Sequence, residues 1–204
     1  MASKESIFNL ALSALLLQRQ VTNATTDKSN EANVLRANFD SAFRRTLQDL
    51  DLDSTSTIAP LAITAEQPID QWAYAYTYPA DCAFFRRIES GVQRDNRYTH
   101  IEKRVGIFGG VKVIFCNEPN AYAQYVSSTT PLTSLSASVE LAVALNLAIM
   151  STPLIVGKGA RTLMEQLMQR YLMAKLDCQE QDRNESFSYS TDDEESEFVA
   201  ERTS

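Results

Sequence analysis

The stretch QWAYAYTYPADCAFFRRIE, residues 71–89, decides how the middle of the chain folds. Trp72 and three tyrosines alternate with small residues here, and this two-residue period is typical of a β-strand with one large face. Proline cannot donate a hydrogen bond to a sheet, so the strand is predicted to end at or before Pro79. Asp81 is predicted to cap the backbone N–H groups of a short turn, after which AFFRRIE resumes as extended chain. The sequence therefore predicts two extended segments joined by a structural turn at Pro79 and Asp81.

The β-rich part continues on both sides of this stretch. Downstream, RYTHIEKRVGIFGGVKVIFCNEP contains two runs of β-forming residues joined by Gly109 and Gly110. A Gly-Gly pair between two such runs predicts a hairpin, because a two-residue turn requires the positive φ angles that glycine tolerates. We assign residues 58–118 to a β-rich insertion.

Helices are predicted before the insertion, over residues 1–57. The segment IFNLALSALL places apolar residues at helical spacing behind a cap at Ser3. The segment EANVLRANFDSAFRRTLQDL does the same over about five turns, behind a cap at Ser29 or Asn30. Both are expected to pack into a helical bundle.

Two more helices are predicted after the insertion, over residues 119–177. The segment PLTSLSASVELAVALNLAIMSTP is apolar nearly all round, which favours the central helix of a bundle that stops before Pro153. A membrane span is the alternative, and Glu140 and Asn146 argue against it. The segment ARTLMEQLMQRYLMAKLDCQ repeats Leu and Met at helical spacing, as core-filling residues do. The expected fold class is mainly α: a bundle of about four helices with a β-hairpin-containing insertion and a disordered or extended C-terminal tail.

Charge separates that tail, residues 178–204, from the body. Residues 1–176 hold 17 Lys and Arg against 16 Asp and Glu, whereas 177–204 hold 2 against 10. This acidic composition is typical of a disordered segment, and a solvated tail that keeps the protein soluble is one interpretation. The other is an arm that docks on a partner, with Arg36, Arg44 and Arg45 of the second helix as possible acceptors of its carboxylates. The anchors of such an arm would be Phe187, Tyr189, Phe198 and Val199.

Catalytic and metal-binding patterns are not found in the sequence. His100 is the only histidine, and three cysteines at wide spacing predict free thiols rather than a disulfide framework or a zinc cluster. No glycine-rich phosphate loop occurs, and the N-terminal apolar run has no convincing cleavage site of a signal peptide. We expect no enzyme activity and no cofactor or metal.

A basic cluster supports a different hypothesis, that of a small nucleic-acid-binding regulatory protein. The cluster lies within residues 94–104, where Tyr98 could stack on a base while the cations track phosphates. A near-neutral body and the lack of a known nucleic-acid motif argue against it. A solvated hairpin, or an insertion tip that meets a protein partner or DNA, are the other interpretations. The cations are Arg94, Arg97, Lys103 and Arg104.

The chain resembles the phage head-to-tail adaptor (connector) family, which includes tail tubular protein A of short-tailed phages. YAYTYPADCAFFRRI is similar to the family's Y-x-Y-x-x-P-x-D-C-L-R-x-x segment, and IFNLALSALL to its i-N-x-A-L-x-x-L opening. ANVLRANFDSAFRRTL and VKVIFCNEPNAYAQYV resemble its second helix and its hairpin strand. The resemblance covers residues 5–178 through short motifs. Leu16-Leu17 and Leu50-Asp51 stand where the family usually has Gly and Trp.

The resemblance implies a structural protein of the virion neck or tail, present in the host cytoplasm during assembly. Such adaptors form a homo-oligomeric ring, typically a dodecamer, below the portal protein. The ring continues the DNA exit channel to a tail or nozzle protein, and genomic DNA passes through it without sequence specificity. By the same resemblance, the helical bundle packs the ring and the β insertion faces the tail side. From the sequence of the third helix, we expect no part of the chain to enter a membrane.

Overall fold

A computed structural model of the chain describes residues 2–69, 71–91, 101–157 and 159–186. Within these ranges the chain forms four helices and two antiparallel sheets. The helices are α1 (Lys4–Ala14), α2 (Asn30–Leu50), α3 (Ala137–Ile155) and α4 (Ala160–Ser186). The strands are β1 (Ser56–Pro60), β2 (Ile63–Ile69), β3 (Trp72–Thr77), β4 (Cys82–Glu89), β5 (Lys103–Phe108), β6 (Val111–Cys116) and β7 (Tyr122–Ser127).

The predicted fold class, mainly α, is wrong, because the fold is α+β. The β-rich part forms a three-stranded sheet, in the order β1-β7-β4, and a four-stranded sheet, in the order β2-β3-β6-β5. This β part runs from Ser56 to Ser127, beyond both ends of the predicted insertion at 58–118. The insertion between α2 and α3 is therefore a full layer of two sheets, larger than the hairpin-containing insertion that was predicted.

Helix α3 is the centre of the helical layer, as its apolar sequence predicted. It packs against α1, α2 and α4, and residues 142–148 are all buried. Ser136 caps its first turn by accepting a hydrogen bond from the N–H of Val139. The predicted stop before Pro153 is wrong: the proline lies in the last turn, where it removes one backbone donor, and the helix continues to Ile155. By length and composition α3 could cross a membrane, but more than half of it is buried inside the protein.

The first two helices begin where their caps were predicted. Ser3 and Ser6 form a reciprocal capping box at the start of α1, and Ser29 accepts from the N–H of Ala32 at the start of α2. Phe8 of α1 meets Phe39 of α2 edge to face, with ring centroids 5.8 Å apart. Apolar stripes of both helices thus close over α3.

The three-stranded sheet lies between the helices and the four-stranded sheet. Phe84 of β4 and Val126 of β7 belong to the helical core. Ile88 of β4 packs instead with Tyr76 of β3 and with Ile114 of β6, across the space between the two sheets. A register shift between Phe85 and Arg87 interrupts the alternation of β4, so that Ile88 lies on the face of Phe85 and not on that of Phe84. One short sheet therefore serves both cores.

The β5–β6 hairpin has the turn that its glycines predicted. Gly109 and Gly110 have φ of 58° and 81°, the left-handed angles of a two-residue hairpin turn. The pairing then runs without interruption from Phe108↔Val111 to Lys103↔Cys116. This part of the sequence-based prediction is confirmed.

Helix α4 extends beyond the predicted body of the protein. Residues 178–186, which were assigned to an extended tail, form its last turns, and Cys178 is buried against the helical core. The predicted tail boundary is therefore wrong by more than two turns. The segment QEQDRNES contains neither proline nor glycine, so the sequence holds no helix breaker after Cys178.

Candidate assembly surfaces

The turn from β3 to β4 carries the chain from one sheet to the other. β3 ends at Thr77, and the N–H of Cys82 donates to the carbonyl oxygen of Pro79 over 3.1 Å. β3 pairs with β2 and β6, whereas β4 pairs with β7, so the two strands are neighbours in sequence but not in a sheet. The turn therefore sets how the two sheets are stacked.

Asp81 holds this turn through side-chain hydroxyl groups, where capping of backbone N–H groups was predicted. One carboxylate oxygen accepts from Ser127 Oγ at 2.6 Å and the other from Tyr125 Oη at 3.0 Å. Mainly because of the Ser127 hydrogen bond, the pKa of Asp81 lies below its ordinary value. Both partners belong to β7, so Asp81 ties the turn to the central strand of the three-stranded sheet.

Arg86 joins the β layer to the end of helix α2. Its Nε lies 2.8 Å from Asp51 Oδ1, its Nη2 donates to the Asp51 carbonyl oxygen, and its Nη1 pairs with Asp53. Only 16% of the Arg86 side chain is exposed, and Asp51 adopts the left-handed conformation that ends α2. A planar guanidinium with several donors is suited to such a junction.

Asp182 reinforces the same junction from helix α4. Its carboxylate accepts from the N–H of Asp53 at 2.8 Å and from the N–H of Ser54 at 2.9 Å. Burial raises the pKa of Asp182, but these hydrogen bonds outweigh burial, and its pKa lies below the ordinary value. Asp182 lies in the segment that was predicted to be a tail. It instead connects helix α4 to the chain between α2 and β1.

The predicted basic cluster is only partly described. Arg94 and Arg97 lie outside the described residues. Lys103 donates to the Arg86 carbonyl oxygen, its Nζ lies 4.3 Å above the Phe85 ring, and burial lowers its pKa. Arg104 is exposed. Lys103 therefore faces the space between the sheets, and the structure does not bring it to a hairpin tip.

The tip of the β5–β6 hairpin is apolar. Ile107 is 78% exposed and Val111 50% exposed, on either side of the glycine turn. β5 is an edge strand of the four-stranded sheet in the described part of the chain. Exposed edges with apolar side chains are typical sites of strand pairing with another chain.

Helix α4 has an apolar outer stripe, which we define as Met168, Leu172, Met173 and Leu176. These side chains are between 55% and 66% exposed. α4 packs extensively on α3 and makes few contacts with α2, so its outer half is not covered by other elements of the described chain. Large exposed apolar residues grouped on one face mark an interaction surface more often than a solvent-facing one.

A Met-rich cleft of about 740 Å³ lies beside this stripe, between α2, α3, α4 and β4. Arg45 lies at the cleft, and Asp49 accepts from Tyr171 Oη and Lys175 Nζ at 2.8 Å each. Burial opposes the charge of Asp49, but the two donors prevail and keep its pKa below the ordinary value. The apolar wall consists of Phe84, Ile149, Met150, Met164, Met168 and Tyr171.

No family model matches the chain, and no curated protein matches it.

The other predicted site residues have mixed outcomes. Phe187, Tyr189, Phe198 and Val199 lie outside the described residues. Among the proposed acceptors, Arg36 is held inside the chain, since its Nε donates to the Ala24 carbonyl at 2.8 Å. Arg44 and Arg45 are exposed.

Chemical groups for catalysis are sparse in the described ranges. There, no three His, Cys, Asp or Glu side chains lie close enough to hold a metal ion. Cys82, Cys116 and Cys178 are free thiols, and burial raises the pKa of each. A thiol with a raised pKa is a poor nucleophile at neutral pH.

Sequence reasoning missed the roles of Arg86 and Asp182, because the sequence around each residue gives little indication of its partners. Two arginines after the turn were visible, but nothing local distinguishes Arg86 from Arg87. Asp182 was assigned, with the other acidic residues after Cys178, to the tail.

Proposed function

We propose that this protein is a structural head-to-tail adaptor subunit of a bacteriophage. Copies of it would form a homo-oligomeric ring, of about twelve by the resemblance, between the portal protein and the tail or nozzle protein. The ring would line the DNA exit channel without catalysis, in the virion neck, after assembly in the host cytoplasm.

The observation that carries the proposal is the apolar outer stripe of α4. A monomeric protein gains nothing from placing Met168, Leu172, Met173 and Leu176 in water, whereas a subunit of a ring buries such residues against the next copy. Ring closure needs a heterologous contact, in which the stripe meets a different face of the neighbour.

Two further features support a ring. The body of the chain is close to electrically neutral, with 17 basic and 16 acidic residues over 1–176, so many copies could pack without strong mutual repulsion. The helical and β layers are joined by Arg86 and Asp182, so that each subunit would act as one stiff block. The apolar hairpin tip at Gly109 and Gly110 would then remain for a tail-side partner.

The test is to image the purified protein with its portal ring by electron microscopy. The proposal expects a second ring stacked on the portal, with the same symmetry as the portal or a subset of it. A protein that leaves the portal bare at concentrations well above those of assembly contradicts the proposal.

The nucleic-acid-binding regulator is the second candidate, on the basis of exposed Arg104 and of Arg94 and Arg97. Gel-shift titration at low and high salt tests it. A regulator would bind short duplexes tightly, whereas the adaptor would bind DNA weakly and lose that binding with salt.

A further inference from the structure

We propose that the Met-rich cleft binds the segment that follows α4, residues 187–204, supplied by a neighbouring copy of the chain. The inference rests on the proposed ring and names a contact that would tie each subunit to the next. We call this contact an exchange of arms: residues 187–204 of each subunit would bind the Met-rich cleft of the next subunit in the ring.

The cleft is suited to aromatic anchors. Its size, about 740 Å³, lies within the range of pockets that take a drug-sized ligand. Its wall is formed by Phe84, Ile149 and Tyr171 together with three methionines. Methionine adapts its shape and contacts aromatic rings favourably through sulfur, so one or two rings of a peptide would fit without a preformed slot.

The charge around the cleft favours an acidic peptide. Arg45 lies at the cleft, and Arg44 is exposed next to it on α2. In residues 187–204, Tyr189 is separated by only two residues from the four consecutive carboxylates of 192–195. Aromatic rings in the cleft would therefore bring these carboxylates toward the two arginines.

The position of the cleft along α4 determines which copy supplies the anchors. Met168 lies 18 residues before the end of the helix at Ser186, a distance of about 27 Å along its axis. Tyr189 is three residues beyond that end, and three extended residues span only about 10 Å. Phe187 and Tyr189 cannot return to the cleft of their own chain, so the cleft that receives them belongs to another copy.

The first experiment uses a labelled synthetic peptide of residues 187–204 and the full-length chain with Phe187→Ser and Tyr189→Ser, whose cleft is free of intact arms. We expect saturable binding by fluorescence anisotropy. In that background Met168→Asp, or Arg45→Glu if the first variant does not fold, should weaken binding at least tenfold. Leu16→Asp, a change at an exposed residue outside both the cleft wall and the outer stripe of α4, is the matched control and should bind as before. The proposal is overturned if the peptide binds the cleft variants as tightly as the background protein, or if it binds none of the proteins.

The second experiment establishes which copy supplies the arm. One full-length form carries Met164→Asp, a change in the cleft wall but outside the outer stripe of α4, with its arm intact. The other carries Phe187→Ser and Tyr189→Ser, with its cleft intact. Analytical ultracentrifugation should show that each form alone associates at least tenfold more weakly than the wild type. Mixing should yield a heterodimer through the one intact arm and cleft. A mixture that is no more associated than its separate components overturns the exchange of arms. That result is expected if the arm binds the cleft of its own chain, for instance through Phe198.

The two proposals fail separately. If arms are exchanged but no ring is seen on a portal, the adaptor function fails and the arm contact stands. If rings dock on the portal but the peptide does not bind the cleft, the adaptor function stands and the arm contact fails.

Discussion

Asp182 of helix α4 accepts a hydrogen bond of 2.9 Å from the backbone N–H of Ser54, where the helical layer passes into the β layer. The second oxygen of the same carboxylate accepts from Asp53. Asp53 also pairs with Arg86 of β4. One acidic residue near the end of the last helix is thus connected, through a single turn of chain, to the middle sheet of the protein.

Replacement of Asp182 by alanine should destabilise the protein by about 1 kcal/mol, the usual cost of losing a side-chain cap. The measurement is the free energy of unfolding in urea. Asp177→Ala, a change at an exposed position of the same helix, is the control and should alter stability by less than about 0.5 kcal/mol. Equal effects of the two changes would show that the cap contributes nothing.

Replacement of Asp81 by alanine should cost about 1–3 kcal/mol, because the buried hydroxyl groups of Ser127 and Tyr125 each lose an acceptor. Asp81→Asn keeps one acceptor oxygen and should cost less. Thermal unfolding followed by circular dichroism ranks the three proteins. A melting temperature of the alanine variant equal to that of the wild type would refute this role of the turn.

Acid should weaken the fold through the same two carboxylates. The pKa values of Asp81 and Asp182 in the folded protein lie below the ordinary value of 3.8. Their contribution is therefore complete above pH 3.8 and is lost as the pH falls through the folded pKa values. Urea midpoints measured between pH 7 and pH 3 should fall more steeply for the wild type than for a double variant with Asp81→Asn and Asp182→Asn. Parallel curves would contradict the linkage.

Arg86→Ala should destabilise the protein by about 1–2 kcal/mol, since it removes charge-assisted hydrogen bonds to Asp51 and Asp53 that are partly screened by solvent. The matched control is Arg87→Ala. The Arg87 side chain is 63% exposed and pairs only with Glu89 among the described residues, so its loss should change stability by less than about 0.5 kcal/mol. Urea denaturation of both variants distinguishes the junction from an ordinary surface ion pair.

Local features of the fold could be predicted from the sequence because their causes are local. The caps at Ser3 and Ser29 satisfy nearby N–H groups, and Gly109-Gly110 permits its own turn. The aromatic alternation indicated strand β3, although Trp72 packs with Phe115 and Val113 rather than with the tyrosine cluster.

The number and partners of the strands could not be predicted in this way. β4 follows β3 by one turn yet pairs with β7, in contacts such as Phe85↔Tyr125 that join residues far apart in sequence. No spacing within either segment encodes that choice. The fold class was therefore wrong, even though the helices and several strands were found.

The candidate surfaces were predicted unevenly for the same reason. The leucines and methionines of α4 were read as core filling, since a sequence shows that a helix is apolar but not which side is left uncovered. Lys103 was placed at a tip from its charge alone, and its contact with Phe85 depends on the packing of two sheets.

The most direct test of the adaptor account is the mass of portal complexes formed by the wild type and by a variant with Leu172→Asp and Leu176→Asp. Both positions are exposed, so the variant should fold and melt like the wild type. Mass photometry with an excess of adaptor should show the wild type adding a complete ring to the portal, and the variant adding none. A ring that forms equally well with both proteins would contradict the assignment of the α4 outer stripe to the subunit contact. A wild-type protein that never joins the portal would contradict the proposed function itself.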